Sequence, residues 1–436
     1  MRIVVIGGGP AGMAAAVSAK EQGIPEVLLL ERHPYLGGVL PQCIHNGFGT
    51  QIYQTDYTGG EYACLWAEKV KAAGIDVRTD TTVLSVEKGW KVNCVSADSG
   101  AEVLKADAVI IATGCRERTL PQMLIPGSRP AGIFTAGSAQ LMMNMKNYLP
   151  GKSAVILGSG DIGLIMARRM TLEGIRVKMI LGQEATGLAR NIVQCVKDYN
   201  IPMRYGWTAV STHGYERLKG VSIAPFGRDG KPDLTRKEYI PCDTLLVAAG
   251  LIPELEVCAR LEPEDGLFIC GNAHLVHDLV DHVTNEAMET GKRAAAYLGT
   301  GRCPACFPPA EERELTGARG NMICTICPKG CIMQVDTEPF SVSGNQCEKG
   351  ADFARKEIEN PQRIVTTVVK LEGGSQPVIS VKTDRPVDKG DIFKVMKAVK
   401  KVKVAAPVSV GQLVAENIAD TGANLVATWE CKGTKN

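Results

Sequence analysis

The stretch "IVVIGGGPAGMAAAVSAKEQG" (Ile3–Gly23) is typical of an apolar strand, a Gly-x-Gly-x-x-Gly turn and a helix. The same order returns in "AVILGSGDIGLIMARRMTLEG" (Ala154–Gly174). In each copy the first glycine permits a tight turn, the second lets the backbone approach a pyrophosphate, and the third allows close packing of helix on strand. The glycines in register are Gly7, Gly9 and Gly12, then Gly158, Gly160 and Gly163. One fingerprint alone is weak evidence, whereas two in register predict a pair of dinucleotide-binding units.

Each fingerprint predicts an anion site at the head of its helix, where free N–H groups meet the phosphates. Between the glycines we assign Pro10 and Ala11 to the first site and Asp161 and Ile162 to the second.

Glu31 ends the strand "VLLLE", where a carboxylate accepts the hydroxyls of an adenosine ribose. The same step in the second unit reaches Leu181 and Gly182 and finds no acid. Because no arginine stands there to hold a 2′-phosphate, we favour NAD(H) in that unit and leave NADP(H) open.

Composition agrees with a multi-domain α/β enzyme. The chain has 436 residues, 47 glycines and a formal net charge of +2, so nothing indicates a nucleic-acid partner. No apolar run reaches membrane-spanning length. Fifteen cysteines, an odd number, argue against a disulfide framework. With a strand predicted at residues 1–6 and no room for a signal peptide, we expect a cytoplasmic protein.

Two further strands, "DAVIIATG" (Asp107–Gly114) and "DTLLVAAG" (Asp243–Gly250), each end in small residues. With them the chain resembles the two-dinucleotide flavoprotein superfamily that includes the pyridine-nucleotide–disulfide oxidoreductases. The resemblance implies an α/β fold with two Rossmann-like domains, in which an NAD domain is inserted into an FAD domain. It implies that FAD is bound by 1–115 and 246–300 and that NAD(P) is bound by 116–245.

The phrase "LFICGNAHLVHDLVDHV", from Leu267, corresponds to the terminal FAD motif of that superfamily. Asn272 stands where the family has an aspartate that binds the flavin ribitol, and an amide lacks the charge of that carboxylate, which predicts weaker flavin binding. The other FAD-site residues that the resemblance implies are Gly38, Val83, Thr113, Gly114, Gly250, Gly271 and Asp281.

The loop "GGVLPQCIHNGFG" (Gly37–Gly49) replaces the Cys-x4-Cys dithiol of the disulfide reductases. Cys43 is alone, because Gly38 and Phe48 stand where a second cysteine would be, so reduction of a disulfide substrate is not expected. A lone thiol near the flavin and His45 is a candidate catalytic group, with Cys43 oxidisable and His45 able to shuttle a proton. The alternative is that Cys43 is an inert buried thiol.

After a Gly/Pro-rich linker, 301–322, the sequence predicts a small α+β cysteine-cluster domain, 323–436. Its candidate metal ligands are Cys324, Cys327, Cys331 and Cys347. Three thiolates in one short loop favour a [4Fe–4S] cluster over structural zinc, which prefers two separated Cys-x2-Cys pairs. Free thiols remain a third possibility. Cys303 and Cys306 form an extra pair of unassigned role.

This segment resembles the cluster-binding segment of the molybdopterin oxidoreductases, in which Cys-x2-Cys-x3-Cys is followed by Cys-x-Lys-Gly. The chain as a whole resembles the flavoprotein type found with bacterial glycerol-3-phosphate dehydrogenase, on "QCIHNGFG", "ATGCRER" and "AAPVSVGQLVAENI".

The leading hypothesis is an FAD- and NAD(P)H-dependent oxidoreductase that acts as the electron-transfer subunit of a heteromeric or oligomeric complex with a glycerol-3-phosphate dehydrogenase-like partner. Electrons would pass between NAD(P)H, FAD, the [4Fe–4S] cluster and that partner. Two alternatives are a self-standing NADH oxidase or peroxidase that uses Cys43, and a zinc-stabilised redox-sensing or assembly module.

Overall fold

The computed structural model describes residues 1–261, 266–301 and 320–433. The chain divides into two compact units. The first comprises Met1–Arg116 with the described part of Leu251–Glu312, and the second comprises Glu117–Gly250 with the described part of Arg313–Asn436. Cys303, Cys306 and most of the predicted linker lie outside the described residues.

The α-helices in the described residues are α1 Pro10–Glu21, α2 Gly59–Ala72, α3 Ala136–Met145, α4 Asp161–Leu172, α5 Ala189–Asn191, α6 Val280–Thr300, α7 Glu348–Glu359 and α8 Ile392–Val399. A π-helical turn, Ile192–Val196, continues directly from α5.

The first strands are β1 Arg2–Ile6, β2 Glu26–Leu30, β3 Asn46–Phe48, β4 Tyr57–Thr58, β5 Asp76–Arg78, β6 Thr81–Glu87, β7 Lys91–Ser96, β8 Gly100–Lys105, β9 Ala108–Ile111 and β10 Cys115–Glu117. Next come β11 Ile133–Thr135, β12 Ser153–Leu157, β13 Arg176–Gly182, β14 Met203–Tyr205, β15 Trp207–Gly214, β16 Leu218–Pro225, β17 Glu238–Pro241, β18 Thr244–Val247, β19 Leu251–Pro253 and β20 Leu267–Ile269. The last are β21 Met322–Ile323, β22 Ile332–Thr337, β23 Phe340–Ser343, β24 Gln362–Arg363, β25 Thr366–Glu372, β26 Val378–Thr383, β27 Val387–Asp388, β28 Lys403–Ala405, β29 Leu413–Ala415 and β30 Leu425–Ala427.

The first unit is built on a parallel sheet of order β20-β9-β1-β2-β5. Its central strands are continuous apolar runs, as expected for strands covered on both faces. Helices α1 and α6 pack together. An antiparallel sheet of β6, β7 and β8 packs Val86, Val92 and Cys94 against residues of β1, β2 and β9.

The second unit repeats this plan with a parallel sheet of order β11-β18-β12-β13-β14 and an antiparallel sheet of β15, β16 and β17. The α/β class and the paired Rossmann-like domains predicted from the fingerprints are confirmed. Residues after 320 add a hairpin sheet, β21 to β23, and a mixed sheet of order β28-β25-β26-β30-β29.

Local sequence explains where α1 and α2 begin. Pro10 opens α1, where its fixed φ and missing N–H carry no cost. At α2, the hydroxyl of Thr58 accepts from the N–H of Glu61, and the Glu61 carboxylate accepts from the N–H of Thr58. This capping box fixes the entry of α2 beside the Cys43 loop. Among the described residues, no helix is long and apolar enough to cross a bilayer.

Candidate functional site

The first fingerprint has the geometry that its glycines predict. Gly7 has a φ of +107°, and a Cβ there would collide with the carbonyl oxygen of Ala112. A Cβ on Gly12 would collide with the carbonyl oxygen of Gly7, so the third glycine is needed for α1 to approach β1. Both positions therefore require glycine for packing, independently of any ligand.

Gly9 has a different role, because a Cβ there would find only the Cα of Gly38 within reach, at 3.9 Å. Gly38, in turn, has a φ of +57° and would place a Cβ 3.0 Å from the Gly9 Cα. Two glycine backbones thus face each other at the head of α1. Because neither residue carries a side chain, the head of α1 suits the close approach of a pyrophosphate to its free N–H groups.

Glu31 is buried, with 4% of its surface exposed, at the end of β2. The N–H of Gly8 donates to Oε2 at 2.7 Å, and the N–H of His33 donates to Oε1 at 2.8 Å. These bonds hold the carboxylate in place while each oxygen keeps a further lone pair for a ribose hydroxyl. Glu31 therefore lies where the sequence predicts it.

A second part of the candidate site in the first unit is marked by buried polar atoms that have no hydrogen-bond partner. They include Asn46 Oδ1, Thr50 Oγ1 and Asp281 Oδ2. The other oxygen of Asp281 accepts from the N–H of Ile52 at 2.9 Å and of Gln51 at 3.3 Å, so the loop after Cys43 is tied to the first turn of α6. Because buried polar groups normally have partners, these atoms fit a site whose ligand has a polar edge, such as a flavin.

The predicted catalytic pair lies on this loop. Cys43 is buried, and its thiol donates to the carbonyl oxygen of Val39 at 3.4 Å. His45 Nδ1 lies 3.0 Å from the carbonyl oxygen of Asn46, and its ring lies 5.1 Å from that of Phe48. No disulfide links the cysteines that the structure describes.

The other residues predicted for the FAD site differ in how closely neighbouring atoms pack around them. Thr113 Oγ1 donates to the carbonyl oxygen of Glu254 at 2.5 Å, and Val83 packs at the edge of the apolar core of the first unit. Gly114 and Gly250 have positive φ with open space around them. Gly271 has a φ of +62° and would place a Cβ 2.6 Å from the Ala11 Cβ, so it allows the chain to pass closely over α1.

Asn272 Oδ1 accepts from the N–H of His277 at 3.0 Å and closes a turn before α6. Near Asn272 lies a cluster of His274, His277 and Glu286 that the sequence did not lead us to predict. His274 Nδ1 lies 2.8 Å from Glu286 Oε1, and His277 Nε2 bonds to Glu286 Oε2. The signal was present as two histidines in "HLVH" followed by an acid on the next helix.

The second fingerprint shares the backbone of the first but not its side chains. A Cβ on Gly158 would collide with the carbonyl oxygen of Ala248, and one on Gly163 would lie 2.5 Å from the carbonyl oxygen of Gly158. Where the first unit pairs Gly8 with Glu31, the second pairs Ser159 with Gly182, and a Cβ on Gly182 would collide with the Ser159 side chain. The serine thus fills the space that a ribose-binding acid would need.

Asp161, the first residue of α4, organises the chain that follows β13. Its Oδ1 accepts from the N–H of Leu188 at 2.6 Å and from Asn191 Nδ2 at 2.9 Å. A Cβ on Gly160 would find Thr186 Oγ1 at 3.7 Å, and Ser159 Oγ donates to the carbonyl oxygen of Glu184 at 2.5 Å. Residues 184–191 therefore lie beside the glycines of the second fingerprint. Ile162 is partly buried against the core.

The four candidate metal ligands share one neighbourhood. Cys324 is buried, and its N–H donates to the carbonyl oxygen of Cys331 at 2.9 Å. Burial raises the pKa of the Cys324 thiol, and the nearby Cys327, Cys331 and Cys347 raise it further. Yet across 1–261, 266–301 and 320–433, no group of three or more His, Cys, Asp or Glu side chains is arranged to hold a metal ion. The donor chemistry suits a soft metal, but the described side chains do not form a closed site.

Taken together, the paired Rossmann units and the site at α1 define a two-dinucleotide oxidoreductase. A family model described as pyridine nucleotide-disulphide oxidoreductase matches residues 1–276, and the chain belongs to that family. Members of this family are FAD-dependent NAD(P)H oxidoreductases, so membership implies binding of FAD and a nicotinamide dinucleotide. A second model, described as a protein of unknown function (DUF1667), matches residues 348–429.

Individual relatives agree with this family. The hydrogen cyanide synthase subunit HcnB of Pseudomonas protegens is 29% identical over 283 residues, which are 59% of this chain and 58% of that protein. One of the subunits of opine oxidase from Agrobacterium tumefaciens is 31% identical over 182 residues, which are 40% of this chain and 35% of that protein. The chain thus matches less than two thirds of the length of either relative.

Among solved structures, thioredoxin reductase of T. acidophilum superposes with a TM-score of 0.55 at 19% identity, over 68% of this chain and 98% of that chain. At this identity the likeness concerns the fold alone.

Proposed function

We propose that this protein is the flavin-containing subunit of a multi-subunit dehydrogenase and transfers electrons between a nicotinamide dinucleotide and a partner chain. The carrying observation is the pair of fingerprints, of which the first has the buried acid Glu31 at the ribose position and the second has Gly182 at the equivalent position. The relatives named above support the assembly, since both are subunits of larger enzymes by description.

In this proposal the first unit holds FAD. The head of α1, beside Gly9 and Gly38, receives the pyrophosphate, Glu31 binds the adenosine ribose, and Asp281 with the loop after Cys43 faces the polar edge of the ring system. FAD, when bound, exchanges a hydride with a nicotinamide and passes electrons on singly. The second unit binds the nicotinamide dinucleotide at the head of α4.

Matched glycine variants test the two assignments. Gly9→Val should intrude on the pyrophosphate and yield protein without bound flavin. Gly160→Val should keep the flavin and lose reduction by NADH or NADPH. Flavin content and stopped-flow flavin reduction are the measurements. Normal flavin content and normal reduction in both variants would contradict the assignment.

Cys43 is proposed to be dispensable for flavin reduction, because its loop holds no second thiol and its own thiol is buried. Cys43→Ser should therefore be reduced by NADH at close to the parental rate. If the variant instead loses turnover with O₂ or peroxide, the oxidase or peroxidase alternative gains and this part of the proposal fails.

We also propose that Cys324, Cys327, Cys331 and Cys347 are the ligand set of a [4Fe–4S] cluster, with zinc as the alternative. The donor set is supported by the position of Cys324, which has the other three thiols within electrostatic reach. Protein purified without oxygen should contain about four iron atoms per chain. Cys327→Ser should lose them while keeping FAD and its reduction by NADH, since the Rossmann cores contain no metal ligand. Zinc without iron would favour the assembly or sensing module.

The partner is proposed to oxidise a small hydroxy compound such as glycerol 3-phosphate. The protein alone should then reduce a one-electron dye with NADH or NADPH and fail to oxidise glycerol 3-phosphate. Oxidation of glycerol 3-phosphate by the purified chain alone would contradict the need for a partner.

A further inference from the structure

The loop that carries Cys324, Cys327 and Cys331 packs against the chain segment next to the second fingerprint. Gln194 Nε2 donates to the hydroxyl of Thr325 at 2.9 Å, one residue after Cys324. A Cβ on Gly330 would lie 2.7 Å from the Ala189 Cβ, so the backbone of the loop lies directly on the start of α5. Both contacts fall within residues 187–194, which we call the bridging segment.

The other side of the bridging segment contacts the nucleotide fingerprint. Asp161, directly after Gly160, accepts from the N–H of Leu188 and from the side chain of Asn191. A Cβ on Gly187 would lie 3.0 Å from the carbonyl oxygen of Ser159. The bridging segment therefore contacts both the proposed pyrophosphate site and the loop that carries Cys324, Cys327 and Cys331, which we call the cysteine loop.

Charged contacts fasten the later chain to the same region. Arg363 Nε donates to Asp198 Oδ2 at 2.7 Å, with both side chains at most 7% exposed, and Arg363 also pairs with Glu357 at 2.6 Å. Lys389 Nζ adds a pair to Asp198 at 2.7 Å. A cavity of about 300 Å³ lies beside these contacts, lined in part by Val193, Lys197, Ile323 and Glu357.

We propose that the bridging segment couples the four-cysteine site to the second dinucleotide site, so that a ligand at one changes the affinity of the other. The inference rests on the proposed function for the nucleotide site and adds a regulatory link to it. Close-packed backbone transmits displacement, because Gly330 cannot move toward Ala189 without shifting it. Ordering residues 188–191 around a bound pyrophosphate should therefore hold the cysteine loop in place. By thermodynamic reciprocity, a ligand that holds the cysteine loop in place should raise the affinity for the nucleotide by the factor by which bound nucleotide raises the affinity for that ligand.

The test uses the full-length, FAD-containing protein with its thiols reduced and metal removed by a chelator. Saturating NAD⁺ should slow alkylation of Cys327 and Cys331 by iodoacetamide about fivefold, as followed by peptide mass spectrometry. Cys64, in the other unit, serves as the reference thiol. Gly160→Val should abolish the protection. Gln194→Ala should weaken the protection, while calorimetry should show that NAD⁺ still binds. Thr325→Val removes the other partner of the same hydrogen bond and should have the same effect.

The outcomes separate the two levels of the argument. Binding of NAD⁺ with unchanged alkylation rates would overturn the coupling and leave the proposed function intact. Absence of NAD⁺ and NADP⁺ binding to the parent protein would overturn the nucleotide assignment and the coupling with it. Retained flavin in each variant, measured by absorbance, shows that the first unit is folded.

Discussion

At the scale of single residues, the two nucleotide units differ by an exchange of small and large side chains. Gly8 leaves room for Glu31, whereas Ser159 occupies the corresponding space above Gly182. The second site therefore lacks a carboxylate that would bind a ribose 2′-hydroxyl and repel a 2′-phosphate. On this basis the parent should discriminate only weakly between NADH and NADPH. This preference for NADH is weaker than the one favoured by the absence of an arginine after β13.

The double variant Ser159→Gly with Gly182→Glu should recreate the arrangement of the first unit. We expect its preference for NADH over NADPH, as a ratio of kcat/KM values for flavin reduction, to rise by roughly tenfold, the equivalent of one charge-assisted hydrogen bond. Gly182→Glu alone is the control, and it should lower Tm because its Cβ collides with Ser159. An unchanged ratio in a folded double variant would show that the ribose lies elsewhere.

Asp281 permits a second prediction at this scale. Asp281→Ala removes the acceptor of two backbone N–H groups and should weaken FAD binding by roughly tenfold, whereas Asp281→Asn keeps an acceptor oxygen and should remain within about threefold of the parent. Titration of apoprotein with FAD, followed by flavin fluorescence, measures both. Equal FAD affinity in Asp281→Ala and the parent would show that the contact between Asp281 and the loop after Cys43 does not support flavin binding.

At the scale of elements, the contact between α1 and α6 carries much of the first unit. Ser18 Oγ donates to the carbonyl oxygen of Met288 at 2.6 Å, and a Cβ on Gly291 would collide with the carbonyl oxygen of Ala15. The two helices approach this closely only because α6 has glycine at the crossing. Since α1 begins at the first fingerprint and Asp281 lies in the first turn of α6, their packing also sets the distance between two parts of the proposed flavin site.

Gly291→Ala should therefore lower the stability of the first unit by about 1–3 kcal/mol and reduce its flavin content. Gly299 lies on the same helix, and among the described residues a Cβ there would have no atom within 4 Å. Gly299→Ala is the matched control and should be neutral or stabilising, because alanine favours the helix by about 1 kcal/mol over glycine. Thermal unfolding of both variants decides the matter, and equal Tm values would exclude a tight crossing at Gly291.

At the scale of the whole molecule, the second unit is assembled from chain segments that are distant in sequence. Arg363 lies between Asp198 of the nucleotide-binding part and Glu357 at the end of α7, and these two carboxylates raise its pKa against the opposing effect of burial. Arg169 likewise donates to Thr367, on β25, at 3.4 Å. The segment predicted as a separate cysteine-cluster domain is thus joined to the nucleotide unit by buried polar contacts.

Arg363→Met should leave Glu357 without its guanidinium partner and Asp198 with Lys389 alone, and it should cost about 3 kcal/mol, the lower end for a broken buried pair. We expect faster proteolysis within residues 320–433 and unchanged flavin content in the first unit. Lys370→Met, at an exposed pair with Glu372, is the control and should behave like the parent. Equal proteolysis of Arg363→Met and the parent would show that the apolar contacts alone hold the segment in place.

Sequence by itself determined the two Rossmann units, the position of Glu31 and the isolation of Cys43, because strand periodicity, glycine turns and spacing are local properties of the chain. It also indicated which cysteines share one loop. Only the tertiary structure decided that Ser159 takes the place of a ribose acid, that Asp281 binds the backbone of the loop after Cys43, and that the cysteine loop lies on the bridging segment. Those contacts join residues from 23 to more than 200 positions apart. They depend on how completed elements pack, and no local pattern encodes that packing.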